Sequence, residues 1–169
     1  MTFQVGEKVV YPNHGVGTIE NISSRCFGTQ AEKFYLLRVS YNSLTVMVPF
    51  SHVDQVGLRK VTKNGEITKV LNYLACGESK GCHDWKDRFK ENAAKMQSGS
   101  LLEIAEVLKC LATLQSAKPL SFREKKMLDR ARVMLVAEMA TSRGLKDADA
   151  VDVLGKALGK CSLKFPEPL

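Results

Sequence analysis

Hydrophobic positions in the first sixty residues fall in short runs at strand spacing, and from there on they recur every three or four places, so the chain changes period once, near residue 60. The early runs are Lys8 to Tyr11, Val16 to Ile22, Lys33 to Val39, Leu44 to Pro49 and Val56 to Arg59. Val5, Val9 and Val10 precede a Tyr11-Pro12-Asn13-His14-Gly15 turn, and Val16, Thr18, Ile19 and Ile22 follow it, which predicts an opening hairpin. The stretch from Arg25 to Gln30 and the Tyr41-Asn42-Ser43 triplet supply further turns. Pro49 cannot donate to a ladder and so belongs at an edge or a strand end. Five short strands in this length predict a small SH3-like or Tudor-like β-barrel.

The second period predicts five helices. The first opens around Asn64-Gly65-Glu66 and stops at Gly77; the second runs from about His83 to Gln97 and stops at Gly99. Ser100-Leu101-Leu102-Glu103 and Ser121-Phe122-Arg123-Glu124 each spell a capping box, opening the third and fourth. Leu101, Ile104, Ala105, Leu108, Leu111 and Ala112 form one apolar stripe, and Leu128, Ala131, Leu135 and Met139 a second that ends at Gly144. A last helix from about Asp147 to Leu158 carries Val151, Leu154 and Leu158, and the Phe165-Pro166-Glu167-Pro168-Leu169 end frays. The class is therefore α+β, with a β-barrel domain over 1–61 followed by a compact helical domain over 62–169.

Charge narrows the choice of partner. The formal net charge is +7, and residues 80–132 alone hold twelve Lys/Arg against seven Asp/Glu. A concentrated positive excess favours a polyanion, although a solvated helix face explains the same residues. The five cysteines, Cys26, Cys76, Cys82, Cys110 and Cys161, are odd in number and scattered, as reduced intracellular thiols are. Cys76, Cys82 and His83 lack the paired spacing and fourth member of a structural zinc site, so no metal or other cofactor is expected. No apolar run approaches a membrane span. No Walker or Rossmann loop and no nucleophile-base spacing is present, and the chain reads as a non-enzyme.

Trp85, the single tryptophan, shares a helical face with Cys82, Phe89 and Met96, the pattern of a core stripe. It also heads a helix crowded with Lys86, Arg88, Lys90 and Lys95, and a broad π-face among cations suits stacking on an unpaired base. Residue chemistry leaves both readings open. Arg88, Lys90, Arg123, Lys125, Lys126 and Arg130 are candidate phosphate contacts, the lysine pair directly after a capped helix start. Strand alternation sets Val46 and Val48 on one face and Met47 on the other, tilting Met47 outward. His14 satisfies backbone groups in its turn.

Four stretches carry a resemblance: VGEKVVYPNHGVGTIENI, LTVMVPFSHVDQVGLR, and the helical WKDRFK and FREKKMLDRAR. Together they resemble the CarD/CdnL family of bacterial transcription regulators, whose first domain is shared with the transcription-repair coupling factor. The resemblance implies an N-terminal domain that binds the RNA polymerase β subunit through Arg25, Phe27, Met47 and Pro49. It also implies a helical domain that holds promoter DNA without sequence specificity at the upstream edge of the bubble, using Trp85 as a wedge and Lys86 among its cations. Asp87 stands where relatives often carry a basic residue. A monomeric, cytoplasmic, nucleoid-associated protein that stabilises open complexes is expected. The competing reading is a stand-alone basic helical regulator that reads base sequence.

Overall fold

The computed structural model describes residues 2–12, 14–40, 43–76, 85–98 and 100–166, and of Phe27, Trp85 and Ser98 the backbone. The chain divides into two compact units, Met1–Val61 and Thr62–Leu169.

In the first unit, alternating β-branched residues form strands β1 (Lys8–Tyr11), β2 (Gly15–Phe27), β3 (Gln30–Val39), β4 (Thr45–Pro49) and β5 (Arg59–Lys60). All pairings are antiparallel, in the order β4-β3-β2-β1-β5. The inward positions Val9, Ile19, Tyr35, Leu37 and Val48 make the core, closed by Phe3, Val53 and Leu58. Tyr35 ties the layers together: its hydroxyl accepts the Phe3 N–H at 2.9 Å and its ring stacks on Phe50 at 4.2 Å. His14 donates its N–H to the Tyr11 carbonyl at 3.0 Å, and the two rings pack at 4.9 Å. This is the Tudor-like architecture that the strand spacing predicts.

Two details differ from the sequence expectation. The strand predicted to stop at Ile22 continues to Phe27, and the 25–30 stretch is the arm and tip of a long hairpin with a two-residue turn. Gly28 supplies the positive φ that such a turn needs, at 65°. The polar run Ser23 to Arg25 hid the strand, because an arm exposed on both faces carries no alternation of apolar and polar residues. A bulge between Ile19 and Asn21 then resets which face the later residues occupy. The strand predicted over Val56 to Arg59 is displaced: Val56 ends a one-turn helix, α1 (Val53–Val56), stopped by Gly57, and the strand is only Arg59 and Lys60, pairing onto β1. The Tyr41-Asn42 turn lies outside the described residues.

Gly17 has no room for a side chain. A Cβ there would stand 2.7 Å from Leu37 Cδ1 and 2.8 Å from the Arg38 carbonyl oxygen, and the latter belongs to a paired strand that cannot retreat. Gly17→Ala is expected to cost the barrel about 1–3 kcal/mol, read as a lowered urea midpoint with an unchanged helical unit.

The second unit holds α2 (Asn64–Cys76), α3 (Trp85–Ser98), α4 (Leu101–Ala117), α5 (Phe122–Arg143) and α6 (Asp147–Gly159). The two predicted stripes are buried throughout, with Ile67, Val70 and Leu74 of α2 and Ala150, Leu154 and Leu158 of α6 completing the core. α4 is the central helix: α2, α3 and α5 all pack on it. Ser121 caps α5 by accepting the Glu124 N–H at 3.2 Å, while Gly144 ends it by donating to the Ala140 carbonyl. Ser100 caps α4 by position alone, since its side chain makes no capping bond. The carboxylate of Glu138, 1% exposed, accepts both the N–H and the hydroxyl of Thr62 and so fastens the start of the unit to α5. The expected stops at Gly77 and Gly99, the start at His83, and the Glu167–Leu169 end lie outside the described residues.

Candidate nucleic-acid and polymerase interfaces

α3 is a polar helix that buries a single stripe, and the stripe decides which of its cations reach solvent. Arg88, Asn92 and Met96 point inward at 7%, 4% and 2% exposure. Arg88 grips Glu124 of α5 with two parallel bonds, Nε to Oε2 at 2.9 Å and Nη2 to Oε1 at 3.1 Å. That geometry is the strong form of an ion pair, and it fills the guanidinium's fork. Arg88 is therefore not a surface phosphate contact. It clamps α3 to the first turn of α5, where the helix dipole also favours the Glu124 carboxylate.

Lys95 is engaged as well, 3.0 Å from Glu106 and 3.9 Å from Glu91. Burial works against its ammonium, but the hydrogen bond and charge of Glu106 outweigh that and hold its pKa above the ordinary lysine value. Lys109, counted in the basic segment, is 3% exposed. The surface charge of the segment is thus smaller than its sequence total, and it is concentrated at one end of the bundle.

That end is built from two helix starts. Lys95 faces Glu106 and Asn92 reaches Cys110, so α3 and α4 run antiparallel. Carried on, this register sets the head of α3 level with the last turn of α4 and the short connection into α5. Phe89 meets Arg123, whose guanidinium lies 4.6 Å from the ring centroid, so the first turns of α3 and α5 lie side by side. Their backbone N–H groups and dipoles present positive potential together. Lys86, Lys90, Arg123, Lys125, Lys126 and Arg130 are all exposed around them. Arg123, Lys126 and Arg130 follow one another at helical spacing along a single face of α5.

Trp85 is the first residue of α3, and its side chain lies outside the described residues. Its Cα heads the line of Arg88, Asn92 and Met96, one turn beyond Arg88. Arg88 already meets α5 only two residues into that helix.

The sequence reading missed Phe122. It is the first residue of α5 and 65% exposed, with the Lys126 ammonium 4.7 Å from its ring centroid. An aromatic at the first position of a capped helix carries no periodic partner, so only its place beside lysines could have marked it.

In the first unit, Arg25, Met47 and Pro49 come together on the outer face of the sheet. Leu36 pairs with Met47, Phe34 with Pro49 and Glu32 with Arg25, so successive rows of β3 carry all three neighbours to one side. Arg25 is exposed, Met47 is 37% exposed and Pro49 half-buried, whereas Val48 between them is 1% exposed in the core. β4 is an edge strand, so its outer backbone groups are open to a partner strand. Phe27 sits at the hairpin tip, its side chain outside the described residues.

Among the described residues no helix is long and apolar enough to cross a membrane, and no group of His, Cys, Asp and Glu could hold a metal ion. Cys82 and His83 lie outside them.

Comparison with known proteins fits this division. The family model described as the CarD-like/TRCF RID domain, an RNA polymerase-interacting domain, matches residues 3–62, and that described as the CarD C-terminal domain matches residues 69–155. The chain is also 35% identical over 145 residues to YdeB, a candidate transcription factor of Bacillus subtilis (strain 168), covering 86% of this chain and 95% of that protein. Two consecutive domain matches in the family's order and a relative aligned almost end to end lead to one conclusion: the chain belongs to the CarD family of transcription factors.

Proposed function

We propose that the barrel unit docks on the β subunit of RNA polymerase while the helical unit lays the paired first turns of α3 and α5 on promoter DNA at the upstream edge of the bubble. Trp85 then stacks at the fork junction in the minor groove and opposes reannealing. Lys86, Lys90, Arg123, Lys125, Lys126 and Arg130 hold backbone phosphates. Arg88 supports them from beneath, and Phe122 adds a second apolar contact beside the wedge. The observation that carries the reading is the convergence of two helix starts, exposed cations and an exposed aromatic at one end of the bundle.

The chemistry suits shape and charge more than base sequence. Lysines predominate, and lysine is a point charge for phosphates, whereas reading base edges calls for Arg, Asn or Gln set at groove spacing. Such a grip is weak and salt-sensitive by itself. Docking on polymerase offsets the weakness, because a short linkage raises the local concentration to roughly millimolar. On the barrel, edge strand β4 with Met47 outward offers backbone pairing and an adaptable side chain to an irregular partner surface.

Arg25→Glu tests the docking half. It is expected to abolish association with polymerase in a pull-down while leaving the melting temperature unchanged, because Arg25 is exposed on the sheet's outer face. Normal binding by Arg25→Glu contradicts the proposed surface. A gel shift tests the DNA half: the lone protein binds duplex feebly, and addition of polymerase strengthens the complex. Tight, sequence-selective binding without polymerase favours the stand-alone regulator.

A further inference from the structure

A second chemically unusual cluster closes the C-terminal turn of α2. Lys109 of α4, 3% exposed, donates from Nζ to the Tyr73 carbonyl at 2.9 Å and stands 5.1 Å from the centroid of the Tyr73 ring. Its Nζ also lies 3.6 Å from Sγ of Cys161, which follows α6. The Cys161 thiol donates to the Ala75 carbonyl at 2.7 Å and reaches that of Leu74 at 3.6 Å.

These three carbonyls belong to the last turn of α2, where no intrahelical donors remain, and a cation is favoured at that end of the dipole. The satisfaction of the carbonyls explains a donor at 109 and another at 161. It does not call for sulfur, since a hydroxyl donates better than a thiol. What sulfur adds is oxidation chemistry. Cys161 is partly exposed while its amine neighbour is sealed from solvent, so a small oxidant can reach the sulfur with Lys109 waiting beside it.

We propose that Lys109 and Cys161 form a covalent sulfur-nitrogen cross-link when the protein meets hydrogen peroxide. The Cys161 thiolate attacks peroxide: an S–O bond forms, the O–O bond breaks, and hydroxide leaves as sulfur gives up two electrons. The Lys109 ammonium gives that hydroxide a proton, making the first water, and the resulting amine attacks the sulfur. The S–N bond forms, the S–O bond breaks, and the hydroxyl leaves with an amine proton as a second water. One thiol, one amine and one peroxide thus become one sulfenamide and two waters. The bond joins positions 52 residues apart and staples α4 to the segment after α6 across the end of α2. A thiol reductant reverses it, giving the helical unit a peroxide-responsive staple.

The test treats the full chain with hydrogen peroxide and maps it without reduction. The expected product lacks two hydrogens, resists trypsin after residue 109, contains the residue 109 and 161 peptides joined, melts at a higher temperature, and reverts with dithiothreitol. Cys76→Ser retains the product, whereas Cys161→Ser and Lys109→Arg lose it. Should Lys109→Arg fail to fold, the mapped wild-type peptides together with Cys161→Ser decide the matter. Sulfinic or sulfonic acid at Cys161 beside an unmodified Lys109, or a disulfide from Cys161 to Cys76, overturns the proposal.

Discussion

Arg88→Ala destabilises the helical unit by about 3–5 kcal/mol, the usual result of removing one partner from a buried ion pair. Arg88 and Glu124 keep 8% and 6% of their side chains exposed, and their two parallel bonds account for both carboxylate oxygens. Without the guanidinium the carboxylate stays buried, with the Ser121 hydroxyl, which donates to Oε1 at a long 3.4 Å, and the α5 dipole to offset its charge. Denaturant unfolding measures the loss. Arg88→Met combined with Glu124→Leu, which removes both charges and refills the volume, is expected to recover most of it, because a well-packed apolar pair replaces a buried ion pair at little or no cost. A phosphate-contact role predicts the opposite pattern: stability unchanged by Arg88→Ala, with weakened DNA binding that the apolar pair does not restore.

Under the proposed function, Trp85→Ala is expected to shorten the lifetime of open promoter complexes by roughly ten- to a hundredfold. Stacking a base on an aromatic contributes about 1–3 kcal/mol, and every ~1.4 kcal/mol is tenfold in an equilibrium. In the proposed mechanism the wedge engages the fork once the strands have parted, so the loss is expected in the rate of bubble collapse, read by challenging preformed complexes with heparin. Polymerase association, which the proposal assigns to the barrel, is expected to stay at the wild-type level. Trp85→Phe keeps a smaller ring and is expected to fall between the two. An unchanged lifetime removes the wedge from the mechanism, and a mutant that unfolds assigns Trp85 to the bundle.

The sign of the effect on any gene follows from kinetics. Under the proposed function, a promoter whose bubble collapses before initiation gains from the wedge, and one whose bubble already persists is held back from escape. Activation and repression therefore need no separate surface.

The fold was legible in the sequence where local chemistry repeats. The Leu101 to Ala112 and Leu128 to Met139 stripes were plain because 3.6-residue periodicity follows from burying one helix face. Ser121 with Glu124 marked the start of α5 because a cap is a contact three residues long. The extension of β2 to Phe27 escaped because Ser23, Ser24 and Arg25 carry no hydrophobic rhythm, and α1 because one helical turn has no period.

The candidate site was legible as a composition and illegible as a geometry. A basic segment headed by a tryptophan points to nucleic acid, yet nothing local separates Arg88 from Lys90. Their difference lies 36 residues away, in a glutamate that only the tertiary fold brings beneath the helix. Lys95 was absorbed in the same way by Glu106. Phe122 stood unnoticed inside its own capping box, since exposure of a lone aromatic is set by what fails to pack on it.

The central claim is that residue 85 touches the upstream fork while the barrel holds polymerase. Replacing Trp85 by the photoreactive p-benzoylphenylalanine and irradiating open complexes tests it most directly. The account predicts a cross-link to promoter DNA at the upstream edge of the melted region, dependent on polymerase and lost when Arg25→Glu is added. A cross-link within the protein's own helical unit, or to DNA with polymerase absent, contradicts it.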